Sequence, residues 1–319
     1  MARKNFDVTN ESNKTDMGVP AMEQLYGKGV AATAARKRSK ALGMTSEGRK
    51  PGWGSYAVLI VTILLFIFPL YYAVSIASQD TPSNQYGVKA LIFAGSLGRN
   101  MARAFAEIKF GQAFLGTLFV ATIVSVSTVF FSTLAGYSFA KLRFRGRKVL
   151  LTLVVATMTI PSQLSVVPLY IMVNKAGLYG SLWAIIIPSL VSAFGVFWMT
   201  QYLTDALPYE LIEAARIDGC SMFRTFISVG LPAARPAAAM LFLFTFIGSW
   251  TNYFWPMLVL GPNKNSMLTT AAAALKGAYF TDYTIVMSGV LLTTIPLLIL
   301  FFIAAKQLVS GIMAGAVKG

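Results

Sequence analysis

Six apolar runs, each near the roughly 20 residues that a helix needs to cross a bilayer, constrain this chain more than anything else in it. They lie at 56–77, 113–140, 149–173, 181–203, 237–260 and 284–305. In hydrocarbon a backbone has only itself to hydrogen-bond with, so runs of this kind must be helices. Only 12% of the 319 residues are charged, against about 25% in soluble domains. The expected fold is therefore an all-α polytopic membrane protein with six transmembrane helices.

The net charge is +15. A basic balance can mark a nucleic-acid binder, but here the cations sit between apolar runs, where they orient a protein in its membrane. With the N-terminus inside, twenty of the 27 Lys and Arg residues fall on the cytoplasmic side, five of them in the short run Lys141–Lys148. Both termini are then cytoplasmic, and no nucleic acid is expected. Residues 1–52 are polar and basic with no apolar period, and read as a disordered cytoplasmic tail. Arg36, Lys37, Arg38 and Lys40 within it could touch anionic headgroups; a solvated tail that fixes topology is the plainer reading. The six-span domain then occupies 53–319. Its first run starts too far along the chain for a cleaved secretory signal, so it is expected to act as an uncleaved anchor.

The chemistry the spans lack is as telling. There is no histidine, Cys220 is the only cysteine, and all twelve Asp and Glu residues lie outside the spans. No catalytic residue and no metal site is expected, and the chain is not expected to be an enzyme. Ion-coupled transporters place ionisable groups inside the membrane, so any transport must draw its energy elsewhere. The spans carry neutral polar groups instead. Gln163, Ser192, Trp250, Asn252 and Tyr253 are candidates for a solute path, with interhelical hydrogen bonding as the competing reading. Pro69, Pro161, Pro168, Pro188, Pro256 and Pro296 can each bend a span.

Residues 205–236 are too long and too polar for a connector. They predict two short helices. Pro208 suits the first turn of one, with Glu210 and Glu213 toward its positive end, and Gly219 ends it. Ser221 caps a second helix that Gly230 and Pro232 stop. Ala214 and Ala215 are expected to leave a flat face that enters a partner's cleft. Glu213 would pair with a basic residue there, with Arg216 and Asp218 at the rim.

This stretch resembles the cytoplasmic loop of binding-protein-dependent ABC importer permeases. Their signature is Glu-Ala-Ala, three residues, Gly, nine residues, Ile, one residue, Leu-Pro. Here Glu213-Ala214-Ala215 is followed at the right distances by Gly219, Val229, Leu231 and Pro232, with Val229 in place of Ile. Ala135-Gly136-Tyr137, Phe144–Arg147, Trp255-Pro256 and the ending Gly311–Gly319 are similar to the smaller permease subunit of maltose-type carbohydrate systems. The resemblance implies a type I importer permease in the bacterial plasma membrane, forming half of a path for a sugar or oligosaccharide. Glu213, Ala214, Ala215, Asp218, Gly219, Leu231 and Pro232 would couple it to an ATPase. It implies a second permease in a heterodimer, two ATPase subunits that hold ATP and magnesium, and an extracytoplasmic solute-binding protein. No phosphate-binding loop occurs in this chain, so no cofactor is expected on it. A polyol or glycerol-phosphate-like solute is the alternative, and an ATP-independent secondary transporter the more distant one.

Overall fold

The computed structural model describes residues 52–81, 87–261, 266–277 and 281–316, with side chains described as far as 303. The tail expected at 1–52 lies outside them apart from Gly52. Among the described residues all regular structure is helical. The α-helices are α1 (Trp53–Ala77), α2 (Leu97–Glu107), α3 (Phe110–Lys141), α4 (Arg147–Thr157), α5 (Val166–Lys175), α6 (Trp183–Ile186) and α7 (Ala193–Ala206). They are followed by α8 (Tyr209–Ile217), α9 (Met222–Thr225), α10 (Leu231–Thr251), α11 (Phe254–Val259), α12 (Leu268–Ala274) and α13 (Tyr283–Ala316).

Five helical stretches are long and apolar enough to span a membrane: Trp53–Ala77, Phe110–Lys141, Trp183–Ala206, Met222–Thr251 and Tyr283–Ile303. The sixth expected span is not one helix. Arg147–Thr157 and Ser162–Lys175 meet at 88°. Pro161 sits at the corner with extended backbone (φ −57, ψ 126), because a proline there removes a donor and disfavours helix in the residue before it.

The chain divides into two units, Met1–Ile67 and Phe68–Gly319. In the first, the described part of α1 exposes Val58, Leu59, Ile60, Ile63, Leu64 and Phe66, each more than half accessible. In the second, amides fasten the end of α1 to the segment before α2. Buried Gln79 donates to the carbonyls of Ser75, Lys89 and Ile92, and buried Asn100 to those of Ala77 and Gln79. They satisfy helix-end carbonyls that would otherwise be orphaned.

At the centre of the second unit α3 packs on α7 and α10. Small residues let the backbones close up, as in membrane helix pairs generally. A methyl at Gly136 would lie 2.6 Å from the Met199 Cβ and 2.9 Å from the Thr200 nitrogen. A turn away, one at Gly195 would collide with the Ser132 hydroxyl. Tyr137, Met199, Leu203, Phe226 and Leu241 form one buried cluster at this end; Val120, Val124, Ile185, Val259 and Met267 form a second.

Two expected boundaries move. The helix after Ser221 is not stopped by Gly230 and Pro232; it runs on through Met222–Thr251. The ladder survives because Phe226–Gly230 widens to a π-helical turn, with Leu231 N–H bonded to the Phe226 carbonyl. The wider turn gives the proline ring room. The fifth span, in turn, breaks at Asn252, where the backbone turns extended (ψ 121), and resumes as α11.

Candidate functional site: a pair of loop helices and a polar cleft

The first region is built on α8 and α9. Glu210 lies in the first turn of α8, where a carboxylate meets the positive end of the helix. The helix closes with a full Schellman turn: Cys220 N–H bonds to the Ala215 carbonyl at 2.9 Å and Gly219 N–H to that of Arg216 at 3.0 Å. Gly219 has φ +77, a conformation that costs other residues about 1–2 kcal/mol. Ser221 then caps α9, its hydroxyl accepting from Arg224 N–H at 3.3 Å.

The helical phase sorts the expected coupling residues. Ile212 and Ala215 are buried, whereas Glu213, Ala214, Asp218 and Gly219 are exposed. Adjacent residues lie about 100° apart on a helix, so Ala214 and Ala215 do not share the outward face expected of them. That face is made instead by Leu211, Ala214 and Ile217, the last 86% exposed, with Met222 and Phe223 from α9. Glu213 stands beside it with no ion pair among the described residues. Leu231 and Pro232 are exposed at the start of α10, beyond the π-helical turn.

Two contacts tie this loop to the bundle, and two cations beside them cap helix ends. The Tyr137 ring packs 5.3 Å from that of Phe226, against Gly230, where a Cβ would meet the ring at 2.8 Å. The Arg143 guanidinium lies 5.2 Å over the Tyr209 ring. Lys141 donates to the Thr204 carbonyl at 3.0 Å, capping the end of α7, while Arg147 caps α3 through the carbonyls of Ala140 and Leu142. The run Lys141–Lys148 is legible in sequence as an orienting charge cluster; its capping work is not.

The second region is a cleft of about 370 Å³ where the broken fourth and fifth spans meet α3. Its polar lining is Thr128, Ser189, Ser192, Thr245, Ser249 and Asn252, and no charged residue joins it. Irregular backbone inside a membrane is tolerated where it lines a cavity. Here Pro188 lies within the short helical turn Ile187–Ser189, and α7 restarts with Ser192 accepting from Gly195 N–H at 3.2 Å. Thr128 steadies the break by donating to the Ser189 carbonyl at 3.2 Å, and Thr269 does the same for that of Asn252 at 2.9 Å.

Of the five path candidates, Ser192 and Asn252 come together in this cleft. Trp250 turns the other way. It is 4% exposed, its Nε1 donates to the Thr293 carbonyl at 3.3 Å, and it packs on Phe246 and Phe114. Gln163 stays exposed at the bend of the third span, and Tyr253 lies outside the cleft lining. Sequence reasoning missed Thr128 and Thr245. Thr245 is a lone hydroxyl in an apolar run and Thr128 one of several hydroxyls along α3, and only their register with the breaks marks them.

Comparison with known proteins gives one concordant result. A family model described as "Binding-protein-dependent transport system inner membrane component" matches residues 129–313. The lactose transport system permease protein LacG of Rhizobium radiobacter is 33% identical over 274 residues, covering 86% of this chain and 99% of that protein. The arabinooligosaccharides transport system permease protein AraQ of Bacillus subtilis is 32% identical over 206 residues, 65% of this chain and 73% of its own. The fold matches a chain in the crystal structure of a bacterial ABC transporter involved in the import of the acidic polysaccharide alginate. That match has a TM-score of 0.66 at 22% identity, over 84% of this chain and 97% of that one.

Proposed function

Because the chain belongs to the family of binding-protein-dependent transport system inner membrane components, we propose that its polar cleft is part of the path for a neutral sugar or oligosaccharide. The chain is a permease subunit of an ABC importer, a multi-pass protein of the bacterial inner membrane and not itself an enzyme. The cleft carries the substrate reading: hydroxyl and amide side chains with no charge among them. Such groups exchange hydrogen bonds with sugar hydroxyls, whereas an anionic solute would leave its charge uncompensated in a low-dielectric site. LacG and AraQ, named for a disaccharide and for oligosaccharides, support the same class.

The energetic half of the reading rests on α8 and α9. The outward apolar patch of Leu211, Ala214 and Ile217, flanked by Glu213, suits insertion into a cleft with a basic rim on a separate ATPase. With ATP and magnesium held there, closure of two ATPase subunits would move α8 and α9. Tyr137 and the π-helical turn would pass that motion to α3 and α10. Glu213, Ala214, Ala215, Asp218, Gly219, Leu231 and Pro232 form the coupling element in this scheme. A second, different permease completes the path, and an extracytoplasmic binding protein delivers the solute. Both termini and the loop 205–236 lie in the cytoplasm.

Uptake by right-side-out membrane vesicles, with or without ATP loaded inside, tests the scheme. Neutral di- and oligosaccharides should enter only with ATP on the cytoplasmic side, and glycerol phosphate should not compete. Uptake that persists without ATP would replace it with secondary transport. Preferred uptake of glycerol phosphate would overturn the neutral-sugar assignment alone.

A further inference from the structure

Two hollows adjoin at the start of α4. The first, of about 420 Å³, is walled by Arg143, Phe144, Gly146, Arg147 and Lys148. The second, of about 390 Å³, is lined by Phe139 of α3, by Leu150, Leu153, Val154 and Thr157 of α4, and by residues of α7. The rings of Phe139 and Phe144, one from each hollow, lie 5.9 Å apart. The successive residues Val149 and Leu150 likewise line one hollow each. A basic cup and an apolar groove therefore lie side by side along the same helix.

Among the described residues no carboxylate forms an ion pair with the cations of the cup. Among the described residues the one ion pair is Arg99–Asp80, far along the chain from this site. Arg147 uses donors on helix-end carbonyls but keeps its charge, Arg143 lies on the Tyr209 ring, and Lys148 is exposed. The groove is equally unanswered: α4 buries none of its residues, and Leu150 and Leu153 are about half exposed. The cup lies where the chain leaves α3 and enters α4, at the edge of the apolar belt, the depth of lipid headgroups.

We propose that these two hollows together bind one anionic phospholipid, its phosphodiester among Arg143, Arg147 and Lys148 and an acyl chain in the groove along α4. A free phosphate fits the cup and leaves the groove open. An apolar protein segment fits the groove and leaves the cations unpaired. An anionic amphiphile answers both. Because Arg143 also rests on Tyr209, the headgroup sits one side chain away from α8.

Native mass spectrometry of the transporter, purified with its partner subunits in mild detergent, tests this with phosphatidylglycerol as the probe. The expected result is retained phosphatidylglycerol that neither phosphatidylcholine nor inorganic phosphate displaces. Retention should fall by roughly tenfold or more in the Arg143→Gln, Lys148→Gln variant. It should also fall in Leu153→Trp, which fills the groove and leaves every charge in place. The unmutated complex supplies a second readout: phosphatidylglycerol, and not phosphatidylcholine, should raise its melting temperature after delipidation. Equal retention of phosphatidylcholine would overturn the proposal. So would displacement by inorganic phosphate with no effect of Leu153→Trp, which marks a free-anion site. Capture of the second permease, rather than lipid, by a photo-crosslinker at position 153 would also overturn it.

Discussion

Gly136 of α3 lies against the backbone of Met199 on α7 with no space for a side chain between them. The contact sets how closely the two central helices approach. Gly136→Val should destabilise the bundle by about 1–3 kcal/mol, the cost of overpacking. Gly111, on the same helix with nothing within 4 Å of a would-be Cβ, is the control, and its change to Ala should be neutral or slightly stabilising. Thermal unfolding in detergent checks this; equal melting temperatures for the two variants would dissolve the close-approach argument.

Tyr137→Ala should separate two activities. It removes a buried ring from Phe226 and Gly230, at a stability cost of about 3–5 kcal/mol by analogy with other large-to-Ala core changes. ATP hydrolysis by the assembled complex should continue while solute uptake falls. Tyr137→Phe keeps the ring and should transport normally. Parallel loss of hydrolysis and uptake in Tyr137→Ala would mean that the ring merely holds the fold.

At the loop itself, Gly219→Pro and Glu213→Arg are expected to uncouple hydrolysis from transport without removing the chain from the membrane. Proline cannot take φ +77 because its ring fixes φ near −65°. Arginine reverses the charge offered to a basic rim. Normal uptake by both variants would end the lever reading.

Asn252 and Trp250, two residues apart, should behave as opposites. Asn252→Ala removes an amide from the cleft and should raise KM for uptake with little change in melting temperature. Trp250→Phe removes the indole N–H bond to the Thr293 carbonyl and should cost about 1 kcal/mol of stability with KM unchanged. Matching KM changes in both would place Trp250 on the path after all.

The contrast between those two residues shows what was legible in the sequence. Lengths and apolarity gave the existence of the spans, because lipid allows few alternatives to helix. Gly219, Ser221 and Pro161 were readable because backbone chemistry alone decides their roles. Trp250 and Asn252 look like one cluster in a linear reading, yet two steps of about 100° and a break in the helix put them on different sides. The same phase angle separates Ala214 from Ala215. Pro232 misleads for another reason: a local rule forbids it inside a helix, and the five-residue π-helical turn before it accommodates it. Such a turn has no composition of its own.

That turn also acts as a phase setting. A π-helical turn is an α-helix with one residue too many, so everything after Phe226–Gly230 is rotated by about 100° from where an unbroken α-helix would carry it. Which side of α10 lines the polar cleft is therefore decided some twenty residues upstream, beside the loop proposed to dock the ATPase. Deleting a single residue there would leave the helix intact and its chemistry unchanged, yet aim Thr245 and Ser249 away from the cleft.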